Sequence, residues 1–334
     1  MIAKTSAGLA VLILLATPSA RAGSLDPPGA PAPTMKTLEQ VEPRTPISAL
    51  PYTISAPGSY YLTGNLALNA QVHGITVNAV SATIDLNGFT LDGTGNNQGQ
   101  DAIRFVPPAG GSYGRYTVRN GAIINWNDGI TQAAAGQNLV VEDVTIRNCL
   151  VHGISAFDMM VSRCNIGFNG LSGIVSSGVV IVRESRLAQN GDGGIRANGP
   201  RNIIEDSVLD ANNNVGIVVG QESVVRRCVV TDTYAMFGGA AGINVSDFSY
   251  VLENTVANTF GSGIVVLGTQ VRVDGNHCSS NGRYGIESIG GRNVVVRNTA
   301  SGNGVGGYSI TGSSNIAPID ATGTSTNPWV NFSN

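Results

Sequence analysis

The chain has 334 residues, 42% of them hydrophobic, which is enough core for one large domain or two small ones. Only 12% are charged, and the formal net charge of −3 argues against nucleic acid or an anionic lipid surface as a partner. Forty-four glycines without a collagen period, in a background of Val, Ile, Asn and Thr, favour short strands and tight turns over helices.

In chain order, residues 1–22 come first. Lys4 precedes an apolar run from Ala7 to Ala16, and Ala20-Arg21-Ala22 supplies a small-x-small cleavage site. This is the pattern of a signal peptide cleaved near Ala22, so the expected location is secreted: extracellular, periplasmic or on the cell surface. The run is too short to span a bilayer, and no later segment approaches that length. Cleavage removes Lys4 and Arg21 and no acid, taking the formal charge from −3 to about −5. Residues 23–57 read as a Pro-rich linker and N-terminal cap, with Pro27, Pro28, Pro31, Pro33, Pro43 and Pro46. Within it TMKTLEQVE suggests one or two helical turns, Thr34 capping and Leu38 and Val41 pointing one way.

From residue 58 to 312 the chain repeats itself. Gly-Ile occurs at Gly129, Gly153, Gly173, Gly194, Gly216, Gly242, Gly263 and Gly285, closed by Gly307-Tyr308; Gly74-Ile75 and Ala102-Ile103 fit with looser gaps. A second column keeps step: Asn120, Asp143, Cys164, Ser185, Ser207, Cys228, Asn254, Asn276 and Asn298. So does a third: Asn125, Asn148, Asn169, Asn190, Asn212, Thr233, Thr259, Asn281 and Asn303. A period near 22 admits a leucine-rich horseshoe or a parallel β-helix. The recurring apolar residues are Ile and Val in runs about three long, as in LVVEDVTI, VVIVRESRL and NVVVRNTA, which suits a coil of three short strands. The expected fold is therefore all-β: a single-stranded parallel β-helix of roughly eleven coils with short caps at both ends. In each corner the Gly is expected to take a positive φ, the following Ile to stack inward, and the Asn amides to bond along a ladder. Residues 313–334 leave the repeat and read as a C-terminal cap, with Trp329 and Phe332 covering the last coil.

SYYLTGNLAL, ATIDLNGFTLDGTG and the serial N-x-x-x-G-I units resemble bacterial secreted right-handed parallel β-helix repeat proteins of the pectin-lyase-like superfamily. The resemblance covers residues 58–310. It implies the right-handed fold and, for activity, a range from polysaccharide lyases, glycoside hydrolases and C5-epimerases to adhesins and proteins of no known chemistry. The hydrolases' Asp-Asp pair and Gly-His-Gly are absent here, as is the epimerases' Asp-Pro-His-Asp. The lyases' basic residue beside calcium-binding acids has no lysine counterpart beyond Lys36, in the linker. Asn127-Asp128-Gly129-Ile130 is similar to a hydrolase motif and equally to plain turn chemistry.

Stacking lets columns be read across coils. The position before each Gly-Ile runs His73, Asp101, Asp128, His152 and then mostly small or apolar residues; the outward position two after the Gly adds Thr76, Arg104, Thr131 and Ser155 in the same coils. Two neighbouring carboxylates raise each other's pKa or invite a cation, which makes calcium the one candidate cofactor, and a histidine beside them would work near neutrality. Asp128, His152, Asp101, His73 and Arg104 are thus the candidate catalytic residues, Arg104 meeting a carboxylate and a histidine abstracting or donating a proton. Trp126, Tyr113 and Tyr116, with Thr131 and Ser155, are the candidate sugar contacts, near inserted loops at Gly93–Asp101 and Pro107–Tyr116; Thr233 begins a late insertion that offers Tyr234 and Phe237 as a second lip. The plain alternative is that the column is a run of solvated turn residues.

Another column, Arg119, Glu142, Arg163, Glu184, Asp206, Arg227, Glu253, Gly275 and Arg297, reads as a salt-bridge ladder fixing register. Cys149, Cys164, Cys228 and Cys278 read as buried free thiols, Cys149–Cys164 being the one pairing within conceivable reach. No sequence motif for zinc or a nucleotide is present. Two functions follow: an exported monomer that binds or processes a polysaccharide or cell-surface glycan, uronic acids included, on the face of its early coils, or a non-catalytic surface, matrix or adhesin-like rod.

Overall fold

The computed structural model describes residues 43–94, 99–106, 114–136, 138–234 and 240–333. Residues 1–43 and 44–334 separate as two units. The leader and the helical turn expected in TMKTLEQVE lie outside the described residues.

Every strand pair in the second unit is parallel, and the pairing partner of a residue lies one coil further on, as in Ile217↔Ile243↔Ile264↔Ile286. The strands fall into a twelve-stranded sheet from Tyr52–Ile54 to Gly306–Ile310 and a twenty-four-stranded sheet with two strands per coil. Twelve strands in the first sheet make eleven inter-coil steps, a parallel β-helix with the expected number of turns. Most strands are two to five residues long; Arg115–Ile124 and Asn138–Arg147 run ten and carry two strand positions through one corner. Pairing starts at Thr45–Ile47 and Tyr52–Ile54, so the solenoid begins before residue 58.

The Gly-Ile corner works differently from the expectation. Ile75, Ile103, Ile130, Ile154, Ile174, Ile195, Ile217, Ile243, Ile264 and Ile286 do stack inward and are all fully buried. The glycines before them, however, keep negative φ. Their value is close approach: a Cβ on Gly216 would meet Val230 Cγ1 at 2.4 Å and the Gly242 carbonyl oxygen at 2.6 Å. Positive φ falls to other residue types at three corners, among them Arg163, Glu184, Asp206 and Arg227 at one, Phe168, Gln189, Ala211 and Asp232 at a second, and Arg201, Glu222 and Phe248 at a third.

Where such a left-handed residue is followed by an inward Asn or Ser, that side chain accepts an N–H from the preceding coil, whereas Thr233, after Asp232, has a buried Oγ1 with no hydrogen-bond partner among the described residues. Cys228 N donates to Asn254 Oδ1, Asn254 N to Asn276 Oδ1, Asn276 N to Asn298 Oδ1 and Asn298 N to Asn331 Oδ1, each at 2.9 Å. A second ladder runs through Asn169, Asn190 and Asn212 and resumes with Asn281 and Asn303. A third, unforeseen, links Asn202, Ser223 and Ser249. Register corrects the two expected columns at their start. Asn120 and Asp143 pair with the left-handed Arg163, one residue before the ladder, and Asn125 and Asn148 likewise precede it. The ladder positions in the latter corner are Trp126 and Cys149.

The charge column shifts for the same reason. Arg119 and Glu142 lie within the two long strands, and their row continues through Ser162 to Arg183, Glu205 and Arg226. Its buried acids are each clamped by arginines: Asp85 by Arg44 and Arg119, Glu205 by Arg183, Arg226 and Arg227, and Asp274 by Arg272 and Arg297. The outer row also pairs, Arg163 with Asp143 and Arg227 with Asp206, which holds both aspartates below the usual carboxylate range. The four cysteines are buried free thiols; burial pushes Cys149 and Cys228 up to about 12.

At the C-terminal end Trp329 is 53% exposed and lies under the Arg297 guanidinium, so it covers no core. Closure comes from Tyr308, whose hydroxyl donates to a backbone carbonyl of Asn298 or Phe332, and from the buried Val330 and Asn331.

Gly216→Ala is expected to destabilise the fold by at least about 2 kcal/mol through overpacking against a neighbouring backbone. Gly64→Ala, whose Cβ would meet nothing within 4 Å, should leave the urea midpoint unchanged. Equal midpoints for the two variants would refute the close-approach role.

Candidate functional site

The outer face of the twelve-stranded sheet carries the expected row. Thr76, Arg104, Thr131 and Ser155 are successive partners in register. His73, Asp101, Asp128 and His152 flank them on the upstream side, where a residue shares the outer face with the one three positions on.

Two groups of hydrogen bonds make up the row, one around Asp101 and one around Asp128. Asp101 Oδ2 accepts the Thr131 hydroxyl at 2.6 Å and Arg104 Nη1 at 3.1 Å, and lies 3.6 Å from His73 Nδ1. His73 Nδ1 in turn accepts the backbone N–H of Asp101 at 3.0 Å. One coil on, Asp128 Oδ1 accepts the His152 N–H at 2.9 Å and Oδ2 accepts the Asn127 amide at 2.8 Å. His152 Nδ1 accepts the Ser172 N–H at 3.1 Å. Both acids are almost wholly buried, Asp101 at 3% and Asp128 at 9% exposure.

Burial sets the electrostatics. It raises the Asp128 carboxyl above its ordinary range, helped by the charge of Asp101 and opposed by the His152 N–H. It lowers both imidazoles, against the pull of Asp101 on His73 and of Asp128 on His152. A neutral imidazole that accepts at Nδ1 carries its proton on Nε2. His73 and His152, both half-buried, therefore carry donors at Nε2, and neither offers a lone pair for abstracting a substrate proton while its inter-coil bond holds. With the Arg104 guanidinium, 38% exposed, they form a row of donors suited to an acceptor-rich ligand.

The row runs further than the sequence suggested. Ser172 Oγ bonds Asp192 Oδ2 at 3.3 Å, and Asp192 accepts Arg196 Nη2 at 2.8 Å and the Asn214 amide at 2.9 Å. Burial would raise Asp192, but Arg196 and Asn214 outweigh it and hold the carboxyl low. Asp192 stands one residue upstream of the column, which a strict column reading passes over; the adjacent Gly193, with no side chain of its own on the outer face, was the available signal.

The aromatic contacts need correction. Trp126 is fully buried at a ladder position: its Nε1–H donates to the Leu91 carbonyl at 3.1 Å, and its ring fills the space left by Gly74 and Gly93. Tyr116 is fully buried, stacked at 4.4 Å on Phe105 with its hydroxyl donating to the Ala79 carbonyl. Neither reaches a ligand. Tyr113 and Phe237 lie outside the described residues, and Tyr234 is 53% exposed. Ser155 borders a depression of about 220 Å³ with Phe157 and Asn198. As for calcium, Asp128 spends both oxygens on donors and Asp101 is paired with Arg104; among the described residues no three His, Cys, Asp or Glu side chains converge on one point.

Comparison with known proteins agrees with the fold. The family model for the right-handed β-helix region matches residues 216–319. A double mutant of the periplasmic alginate epimerase AlgG superposes with a TM-score of 0.64 at 12% identity, covering 84% of this chain and 76% of that one. AlgG itself gives 0.52 at 11% identity over 79% of this chain and 77% of its own. No curated protein matches. The chain is a right-handed parallel β-helix protein; at such identities the likeness extends to the fold alone.

Two outcomes test this geometry. Trp126→Ala is expected to cost about 3–5 kcal/mol of stability, as for a large buried aromatic; a variant as stable as the parent would put the indole outside the core. Because both imidazoles titrate lower folded than unfolded, the folded chain binds fewer protons just below the ordinary histidine value of about 6.5. Stability is therefore full above that pH and declines as pH falls through it. Asp128, raised, acts oppositely lower down, its contribution declining as pH rises from about 4. The urea midpoint should drop between pH 7.5 and pH 5.5, and His73→Gln with His152→Gln should remove most of the drop.

Proposed function

We propose that this protein binds an acidic, acceptor-rich polysaccharide along the outer face of its early coils. The observation that carries the reading is the row of donors, His73 Nε2–H, Arg104 and His152 Nε2–H, held in register by hydrogen bonds to Asp101 and Asp128 and between coils. A carboxylated or hydroxylated chain lying along the solenoid would meet a new donor every coil or two, about 4.8–10 Å apart. Support comes also from the fold shared with an alginate epimerase, a protein whose name ties it to a uronic-acid polymer. A leader peptide, expected from the pattern of residues 1–22, would put such a protein outside the cytoplasm, where such polymers are met.

Binding is favoured over turnover, because both histidines are committed at Nδ1 and the Asp128 oxygens are occupied. If turnover does occur, Asp128, raised by burial, is the group to donate a proton, in a lyase-, epimerase- or hydrolase-type reaction. The same commitment of the row to inter-coil bonds favours a second reading, a non-catalytic rod of the adhesin type whose corner residues serve register only.

Calorimetric titration with oligomannuronate and oligogalacturonate tests the proposal, with absorbance of unsaturated ends followed in parallel. Arg104→Ala should weaken binding about tenfold, the loss of one charge-assisted contact. Absence of binding by the parent protein to either polymer would leave the rod reading. Turnover abolished by Asp128→Asn would move the row from binding to catalysis.

A further inference from the structure

Five to seven inter-coil steps beyond Asp128 on the same sheet face lies a second depression, of about 260 Å³, that the early-coil row does not include. At about 4.8 Å per step its near edge, at Asn244, is roughly 24 Å from Asp128. Its floor is the outward row Asn244, Val265 and Glu287, adjacent partners in register.

The rim is apolar and exposed. Phe260 stands at one side and is the most exposed large apolar side chain among those described, at 65%; Leu267 and Ile289 stand at the other, at 55% and 53%. Scattered exposed side chains need no explanation, but these three surround one cavity. The floor is polar and incompletely satisfied. Asn244 Oδ1 is buried and accepts no hydrogen bond from any described residue. Glu287 Oε2 accepts the Ser262 hydroxyl at 2.6 Å and lies 3.7 Å from Arg283 Nη1. A buried acceptor without a donor is unfavourable unless a ligand supplies one.

We propose that this depression is a second sugar subsite, taking a hydroxylated ring of the same polysaccharide chain. It rests on the reading that the early coils bind such a chain. The C–H face of the ring lies on Phe260 and Leu267, a hydroxyl donates to Asn244 Oδ1 and another to the Glu287 carboxylate, and Arg283 faces an acceptor on the next unit. Aromatic rings bury much apolar area while losing little side-chain freedom, and the orphaned acceptor fixes the orientation. A chain long enough to reach both sites gains the second contact intramolecularly, so the face discriminates by length.

The full chain is titrated with short oligouronates, unable to bridge about 24 Å, and with long ones. The expected result is tighter binding of the long chains by the parent protein, and an approximately tenfold loss for those chains alone in Phe260→Ala and in Asn244→Leu, with Phe260→Trp retaining parental affinity. Phe260 is exposed, so its replacement leaves the fold intact, and the urea midpoint checks this. Long chains that bind no tighter than short ones, or that ignore Phe260→Ala, overturn the subsite while Arg104-dependent binding of short chains upholds the early-coil reading. Short-chain binding lost in Phe260→Ala and untouched by Arg104→Ala overturns the early-coil reading and makes the late depression the sole site. No binding by the parent at any length overturns both.

Discussion

The buried asparagine amide that accepts a backbone N–H from the coil before it is the contact on which the solenoid depends. A coil of some 22 residues must turn sharply, and at three corners it does so through left-handed residues that include Arg163, Phe168, Gln189 and Arg201. For residues with a Cβ that conformation is unfavourable by about 1–2 kcal/mol each. It also turns backbone N–H groups into an interior where water cannot follow. Asn254, Asn276 and Asn298 meet those groups with Oδ1 and return Nδ2 to a carbonyl of the previous coil, so one side chain satisfies donors and acceptors on both sides. Everything on the surface inherits its spacing from this internal column.

The same economy governs the outer face. His73 and His152 accept N–H groups through Nδ1 much as the interior asparagines do through Oδ1. The polar row is thus part of the corner before it is part of any site. What it can offer a ligand is what the corner leaves over: Nε2–H and the Arg104 guanidinium. That division separates holding a polymer from breaking one, since a base needs an uncommitted lone pair and neither histidine has one while its inter-coil bond holds.

The fold was legible because its signals are redundant. Gly-Ile, Asn and Val runs recur in step, and no helix or two-stranded alternative accommodates all three. Individual positions were less legible where one residue type serves two purposes. Asn125 and Asn148 look like ladder members, yet they are the left-handed residues beside it, and Trp126 and Cys149 occupy the ladder. Glycine was ambiguous in the same way, because both positive φ and close approach select it; only the distance from Gly216 to the next coil distinguishes them. Trp126 and Tyr116 looked like sugar platforms because they follow inserted loops. Whether an aromatic faces in or out depends on the vacancy left by Gly74 and Gly93 a coil or more away, and nothing local announces that.

The asparagine column also has a direction. Each amide oxygen serves the coil that precedes it, and the series terminates at Asn331, contributed by the last short strand Asn331–Ser333. Loss of the tail therefore strands a donor, the Asn298 N–H, whereas loss of a coil at the other end strands an acceptor, as Asn254 Oδ1 would be without Cys228. The two ends of the column are thus chemically unlike, one needing an oxygen to close it and the other an N–H.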